Sequence, residues 1–329
     1  MPLKFHYKQL PNGLDIVGED NPDSLITLRS LGFVLEAEGK LSEAETMHRE
    51  ALSLWHKRGE HETPLALSEV ESLAGILIAQ KKFGEAKDLL DDALTPELVS
   101  QSSSGNLLAR RAELNARRGQ WQEAAADAAL AFEHQPYNRD RYPMLAALLA
   151  KTHDRPAYEK LCKRLLATYS STTNIFVADQ VAKACLFLPL SDADLPAISH
   201  LTDITVTLGV GDAGAMPYFQ DCKALCEYRQ GHYAEAVEWA QKPLKIPGLY
   251  VHGHAYAVLA MAYWRLGEKE NAQVMLAKGN TLEPGIMPAS VAEDPGSEWL
   301  AWLFARIQLD EATALVRPSS MPENNANKP

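Results

Sequence analysis

Along most of this chain, small and large apolar residues recur at fixed offsets within blocks of two helix-length runs separated by a short turn. The first block places Leu28, Leu31, Gly32 and Leu35 on one run, Gly39 at the turn, and Ala44 and Ala51 on the next. The second carries Val70, Leu73, Ala74 and Leu77, then Phe83, Ala86, Leu90 and Ala93. Leu108, Ala112, Gly119, Trp121, Ala124, Ala131 and Pro136 make a third. A fourth has Ala224, Gly231, Tyr233, Ala236 and Ala240, with Gln220 where a large apolar residue is expected and Phe219 one position early. The most complete block carries Tyr256, Leu259, Ala260, Tyr263, Gly267, Ala272, Leu276 and Pro284. Spacings of three and four put these residues on one face of amphipathic helices. Small residues let the two helices of a block approach closely while large ones fill the groove between them. One such pair cannot bury its own apolar stripe, so the chain must stack pair on pair.

The anchors follow the W-x₂-L-G-x₂-Y, A-x₃-F, P pattern and resemble tetratricopeptide repeats over residues 24–136 and 216–284. The resemblance implies an all-α fold, a TPR-like α-solenoid in which helix pairs wind into a right-handed superhelix. Ala44 and Ala86 are 42 residues apart, Ala86 and Ala124 38, and Ala236 and Ala272 36. The long first interval, carried by "LWHKRGEHETPLALSE", resembles kinesin-light-chain-type repeats. Residues 139–215 read as helical but irregular, as though a repeat pair had degenerated. Across 105–317, the order of a good repeat, "HDRPAYEKLCKRLLATY", "VADQVAKACLFLPL", two further repeats and "WLAWLFARIQLDEATALV" resembles the helical repeat region C-terminal to bacterial serine/threonine protein kinases. The expected organisation is an N-terminal appendage (1–22), two helix pairs (23–100), a longer repeat region (101–317) and a disordered tail (318–329).

The appendage is the exception to helical periodicity. "KFHYKQLPNGLDIVGEDNP" reads as a short β-hairpin about Pro11-Asn12-Gly13, because Asn-Gly tolerates the positive φ of a tight turn. It resembles the opening strands of pitrilysin-type zinc peptidases, which need H-x-x-E-H on a later helix. The nearest approach is His56, Glu60 and His61, whose first spacing is four rather than three. Without the motif, the hairpin is expected to cap the exposed end of the first helix pair, where an uncovered apolar surface is a liability.

No other pattern supports catalysis. "GVGDAG" at Gly209–Gly214 is formally G-x-G-x-x-G, but a repeat helix follows it instead of a βαβ unit. "NRDRYPML" lacks the asparagine and flanking motifs of a kinase catalytic loop. Cys162, Cys185, Cys222 and Cys226 lie in apolar helical stretches and read as buried free thiols. His252 and His254 at a helix start suit solvation or hydrogen bonding better than metal binding. The expectation is a cytoplasmic non-enzyme with no cofactor and no metal. With 43 acidic against 32 basic residues, a net charge of -11, the chain on average repels nucleic acid and anionic membrane.

A protein or peptide partner is therefore expected, bound on the concave face that the resemblance assigns to the first helix of each pair. The inward positions are Arg29, Phe33, Glu113, Arg117, Tyr218, Asp221, Tyr228, Arg229, His254, Met261, Trp264 and Arg265. Aromatic and arginine side chains anchor many peptide interfaces, although Arg117, Arg229 and Arg265 also stand where a cation stabilises a helix C-terminus. The lysine and asparagine of an acidic-tail clamp are absent from Arg29, Phe33, Glu71 and Gly75. Residues 105–170 carry 11 Lys/Arg against 7 Asp/Glu, a local excess that could receive an acidic segment.

Overall fold

The computed structural model describes residues 7–9, 15–17, 22–246, 251–282 and 294–316. Apart from one pair of three-residue strands, the described regular structure is helical. The strands β1 (Tyr7–Gln9) and β2 (Asp15–Val17) pair antiparallel with Lys8 opposite Ile16. The Pro11-Asn12-Gly13 turn expected between them lies outside the described residues, as do Pro284 and the 318–329 tail.

The chain divides into two compact units, residues 1–115 with 126–135 and residues 116–125 with 136–329. In the first, α1 (Pro22–Ala37) packs on α2 (Leu41–Lys57), α2 on α3 (Pro64–Ala79), and α3 on α4 (Phe83–Ala93). A single helical turn, α5 (Pro96–Val99), leads to α6 (Gly105–Arg117) and α7 (Trp121–His134), both of which are divided between the units. Within the first unit, Arg111 on α6 holds Asp127 through two hydrogen bonds of 2.8 and 2.9 Å and reaches Asp91 on α4 at 3.2 Å.

The second unit continues with α8 (Arg141–Lys151), α9 (Arg155–Tyr169), α10 (Ile175–Leu186), α11 (Leu195–Leu208), α12 (Met216–Arg229), α13 (Tyr233–Gln241), α14 (His252–Arg265) and α15 (Lys269–Asn280). Each even-numbered helix packs on the odd-numbered helix after it, and α8, α10, α12 and α14 form a row of neighbours. The final helix, α16 (Trp299–Val316), packs on both end members of that row, α8 and α14.

The small anchors sit where close approach demands them. Ala44, Ala51, Ala86, Ala112, Ala124, Ala131, Ala224, Ala236, Ala260 and Ala272 are all fully buried. Gly32 is small for a more particular reason, since a Cβ there would lie 2.5 Å from the Nε2 of His48. In the fourth block, Phe219 takes the core place that Gln220 cannot, lying so close over Gly209 that a Cβ there would meet its ring at 2.7 Å.

The turns show a repeat that the glycines alone do not mark. After α1, Lys40 N–H donates to Leu35 O at 2.8 Å across Gly39, whose φ is +73°. This bond, reaching back five residues over one left-handed residue, is the Schellman closure of a helix C-terminus. It recurs as His232 to Glu227 O and Glu268 to Tyr263 O, across Gly231 and Gly267. It also recurs as Lys82 to Leu77 O and Asp154 to Leu149 O, but there the left-handed residues are Lys81 at φ +61° and His153 at φ +60°. The stretch beginning at residue 139, read as irregular, thus opens with a repeat turn, and His153 follows Gly119 by 34 residues.

Candidate functional site

In the first unit, Arg29 and Phe33 lie one turn apart on α1. The Arg29 guanidinium sits 5.3 Å from the Phe33 ring centroid, donates to Ser68 Oγ at 2.9 Å and approaches Glu69 Oε1 at 3.4 Å. Phe33 remains 40% exposed, beside exposed Val34 and Ile26. Its other side meets the edge of His48, with ring centroids 5.5 Å apart. His48 is fully buried between two carboxylates, Nδ1 at 2.6 Å from Glu69 and Nε2 at 2.8 Å from Glu36. Burial alone would lower the imidazole pKa, but the Glu36 and Glu69 carboxylates outweigh it and raise it to about 9. His48 is therefore an imidazolium cross-link among α1, α2 and α3. Glu113, on α6, is half-buried and accepts from Arg110 at 2.6 Å.

In the second unit, several predicted inward positions are used by the chain itself. Arg117 is buried and makes a two-pronged pair with Asp294 at 2.8 and 2.9 Å. Arg229 pairs with Glu311 on α16 through its two terminal guanidinium nitrogens and also donates to the carbonyls of Leu186 and Phe187 at 3.3 Å. These two arginines do more than complement a helix dipole, for each fastens the segment that includes α16. Tyr228 is 7% exposed, with the Arg229 guanidinium 5.7 Å from its ring centroid. Met261 is completely buried, which corrects the expectation of an inward contact position; its side chain belongs to the core. Trp264 is half-buried beneath Lys269, whose ammonium lies 5.6 Å from the ring, while Arg265 is exposed.

Three predicted positions do converge. Tyr218 and Asp221 on α12 and His254 on α14 line a cavity of about 320 Å³ that α8, α10 and α16 complete. Pro143, Val251, Leu300, Ala301 and Phe304 supply its apolar wall. Asp140, Gln180, Lys183 and Glu298 supply polar lining that the repeat pattern gave no reason to select. Their common feature is a place near the α16 N-terminus or on the α8–α10 part of the row, where the anchors are faint.

The cavity has distinct electrostatics. Lys183 Nζ is held by Asp179 Oδ2 at 3.0 Å, and Gln180 donates to the same oxygen at 3.3 Å. Burial pushes the Asp221 carboxyl well above the ordinary carboxylate range; the Lys183 charge opposes the rise and neighbouring Asp179 adds to it. His254 lies with Nδ1 3.6 Å from Asp221 Oδ2 and edge-on to Phe304, centroids 5.9 Å apart. Burial, aided by the Lys183 charge, lowers its pKa to about 3, so the ring is neutral. Asp221 Oδ1 is buried and receives no hydrogen bond from any described residue.

No group of three or more His, Cys, Asp or Glu side chains suited to a metal occurs among the described residues, and none of the described helices is long and apolar enough to cross a membrane. The four cysteines are buried and free.

Residues 24–58 match the tetratricopeptide repeat family model. No curated protein matches the sequence. Among solved structures, a tetratricopeptide repeat protein from Parabacteroides merdae is similar at a TM-score of 0.51 and 15% identity, over 87% of this chain and 99% of that one. Yeast Tom70 aligns at a TM-score of 0.44 and 16% identity, over 90% of this chain and 56% of that one. The family match and the first of these structures place the chain among all-helical proteins of tetratricopeptide-like fold. They carry the likeness no further toward kinase-associated or kinesin-light-chain-type repeats.

Proposed function

We propose that the chain is a non-catalytic protein-interaction scaffold that receives a peptide or domain on the first helices of its repeat pairs. The observation that carries this reading is the convergence of Tyr218, Asp221 and His254, chosen by repeat position, on one cavity with mixed apolar and polar walls. Pockets of this composition, with a few polar groups converging on apolar lining, are suited to anchoring a guest side chain. In the first unit, Arg29 and the exposed Phe33 offer a second contact surface, and Glu113 lies on the same class of helix. Trp264 and Arg265 extend the contact surface at the end of α14. The buried Arg117, Tyr228, Arg229 and Met261 act through the shape of the fold.

The test is a peptide array probed with the full chain, followed by affinities for the selected peptides. Tyr218→Ala should weaken binding at the cavity by tenfold or more, because Tyr218 is 37% exposed and truncating it spares the core. Unchanged affinity for every selected peptide in both Tyr218→Ala and Phe33→Ala would refute the assignment of these faces.

A further inference from the structure

The second-unit cavity is not neutral in what it would accept. Of its described charged lining, Asp140, Asp221 and Glu298 carry carboxyl groups; the cation Lys183 is engaged by Asp179, although its charge still reaches Asp221 and His254. His254 is an uncharged ring and contributes no positive field. An anionic guest would be repelled by the Glu298 and Asp140 carboxylates and would oppose ionisation of the buried Asp221. A cation would meet the reverse.

One group in the wall is also incomplete as it stands. Asp221 is 6% exposed, and its Oδ1 lacks a hydrogen-bond donor among the described residues. Its Oδ2 has the His254 Nδ1 at 3.6 Å, too far for a normal hydrogen bond. An unmade bond at a buried carboxyl is costly, and natural cores satisfy such atoms. An ammonium or guanidinium guest supplies both the missing donor and the missing charge. The apolar wall of Val251, Leu300, Ala301 and Phe304 suits an aliphatic stem leading to that charge.

We propose that this cavity is a receptor for a lysine or arginine side chain presented by a protein partner, with Asp221 as the buried counter-ion and Glu298 and Asp140 as further acidic contacts. The proposal rests on the scaffold reading and specifies the partner's chemistry. Asp221 is faced by Asp179 and Lys183 from α10, His254 from α14, Asp140 from the start of α8 and Glu298 just before α16. Burial keeps its carboxyl protonated to higher pH than usual, so docking of a cation ionises it and releases a proton. Affinity therefore rises with pH until Asp221 is ionised in the empty cavity as well.

The experiment takes peptides selected on the array by the full chain and replaces each lysine with norleucine and each arginine with citrulline. One such replacement should cost at least tenfold in affinity, and calorimetry in buffers of different ionisation enthalpy should record proton release. Asp221→Asn, nearly isosteric, should abolish both the cation preference and the proton release. Glu298→Gln, away from the buried floor, should weaken binding several-fold even if Asp221→Asn unfolds. Competition by n-butylammonium at millimolar concentration should displace the peptide only partly; complete displacement would assign the site to free alkylammonium ions instead of a protein side chain. Peptides that bind through Tyr218 but tolerate norleucine and citrulline would overturn the cation assignment and leave the scaffold reading intact. Failure of any peptide to bind would overturn both.

Discussion

The His48 cross-link makes stability of the first helix pairs depend on pH in a direction opposite to acid denaturation. In the folded chain the imidazole pKa is raised to about 9, against an ordinary value of 6.5. Below pH 6.5 both folded and unfolded chains bind the proton, and the full stabilisation is present. Between 6.5 and 9 the folded state alone holds it, so stability falls as pH rises, by about 1.4 kcal/mol per pH unit. The loss from pH 6 to pH 9 amounts to about 3 kcal/mol as an upper figure, reduced by solvent screening at Glu36, whose side chain is 31% exposed. The measurement is hydrogen exchange of α2 amides in the full chain at pH 6, 7.5 and 9, corrected for intrinsic exchange, with His48→Gln as reference. Wild-type protection should fall by two orders of magnitude or so relative to the variant across that interval. His48→Gln should be less stable at pH 6, since it removes the imidazolium from the 1%-exposed Glu69 and leaves it only the Arg29 guanidinium at 3.4 Å. Equal pH slopes in the two proteins would refute the imidazolium assignment.

Three further outcomes follow from packing. Gly32→Ala should destabilise the α1–α2 pair by about 1–3 kcal/mol in urea unfolding, because the new Cβ meets a ring pinned by two carboxylates. Lys81→Gly and His153→Gly should each stabilise the chain by up to about 1 kcal/mol, the strain relieved at a left-handed residue exceeding glycine's added chain entropy; a lowered melting temperature in both would contradict this. Cys162, Cys185, Cys222 and Cys226 should alkylate only on unfolding, being buried, with burial raising the Cys222 thiol well above its ordinary pKa; rapid native labelling of any of them would show the packing to be wrong.

What could be read in the sequence was what repeats locally. Ala44, Ala86, Ala124, Ala236 and Ala272 are small because helices touch there, and that requirement recurs at a period the eye can follow. At Lys81 the flanking anchors still mark the second block, but at His153 a left-handed turn held by the Schellman bond has no glycine to mark it. The regular pair α8–α9 was hidden behind that one substitution. At the cavity, Tyr218, Asp221 and His254 were found by position, whereas Gln180, Lys183 and Glu298 were not, because nothing in a periodic pattern tells a surface charge from one that faces a cleft.

The buried arginines show a further reason why inward positions are hard to read. Counting along a repeat tells which side of a helix faces the inner surface, and it treats that surface as empty. In the second unit α16 lies against α8 and α14, so part of the surface is filled by the chain's own last described helix. Arg229 and Glu311 are 82 residues apart in sequence, and no local period links them. The seat of α16 is apolar as well as ionic: Phe304 packs on Phe187 with centroids 4.5 Å apart, and Trp302 stacks on Trp121 at 6.5 Å. A partner can use only what this helix leaves open, and the cavity by its N-terminal end is such a place. Removing the ionic fastening while sparing the apolar one separates the two roles. Glu311→Gln should weaken the Arg229 contact and cost about 1–3 kcal/mol of α16 docking, because the buried Arg229 loses its counter-charge and keeps only neutral acceptors, the Leu186 and Phe187 carbonyls among them. Hydrogen exchange should then accelerate along α16 but not along α1 and α2; acceleration in all three helices alike would mean that α16 is no separate element laid upon the row.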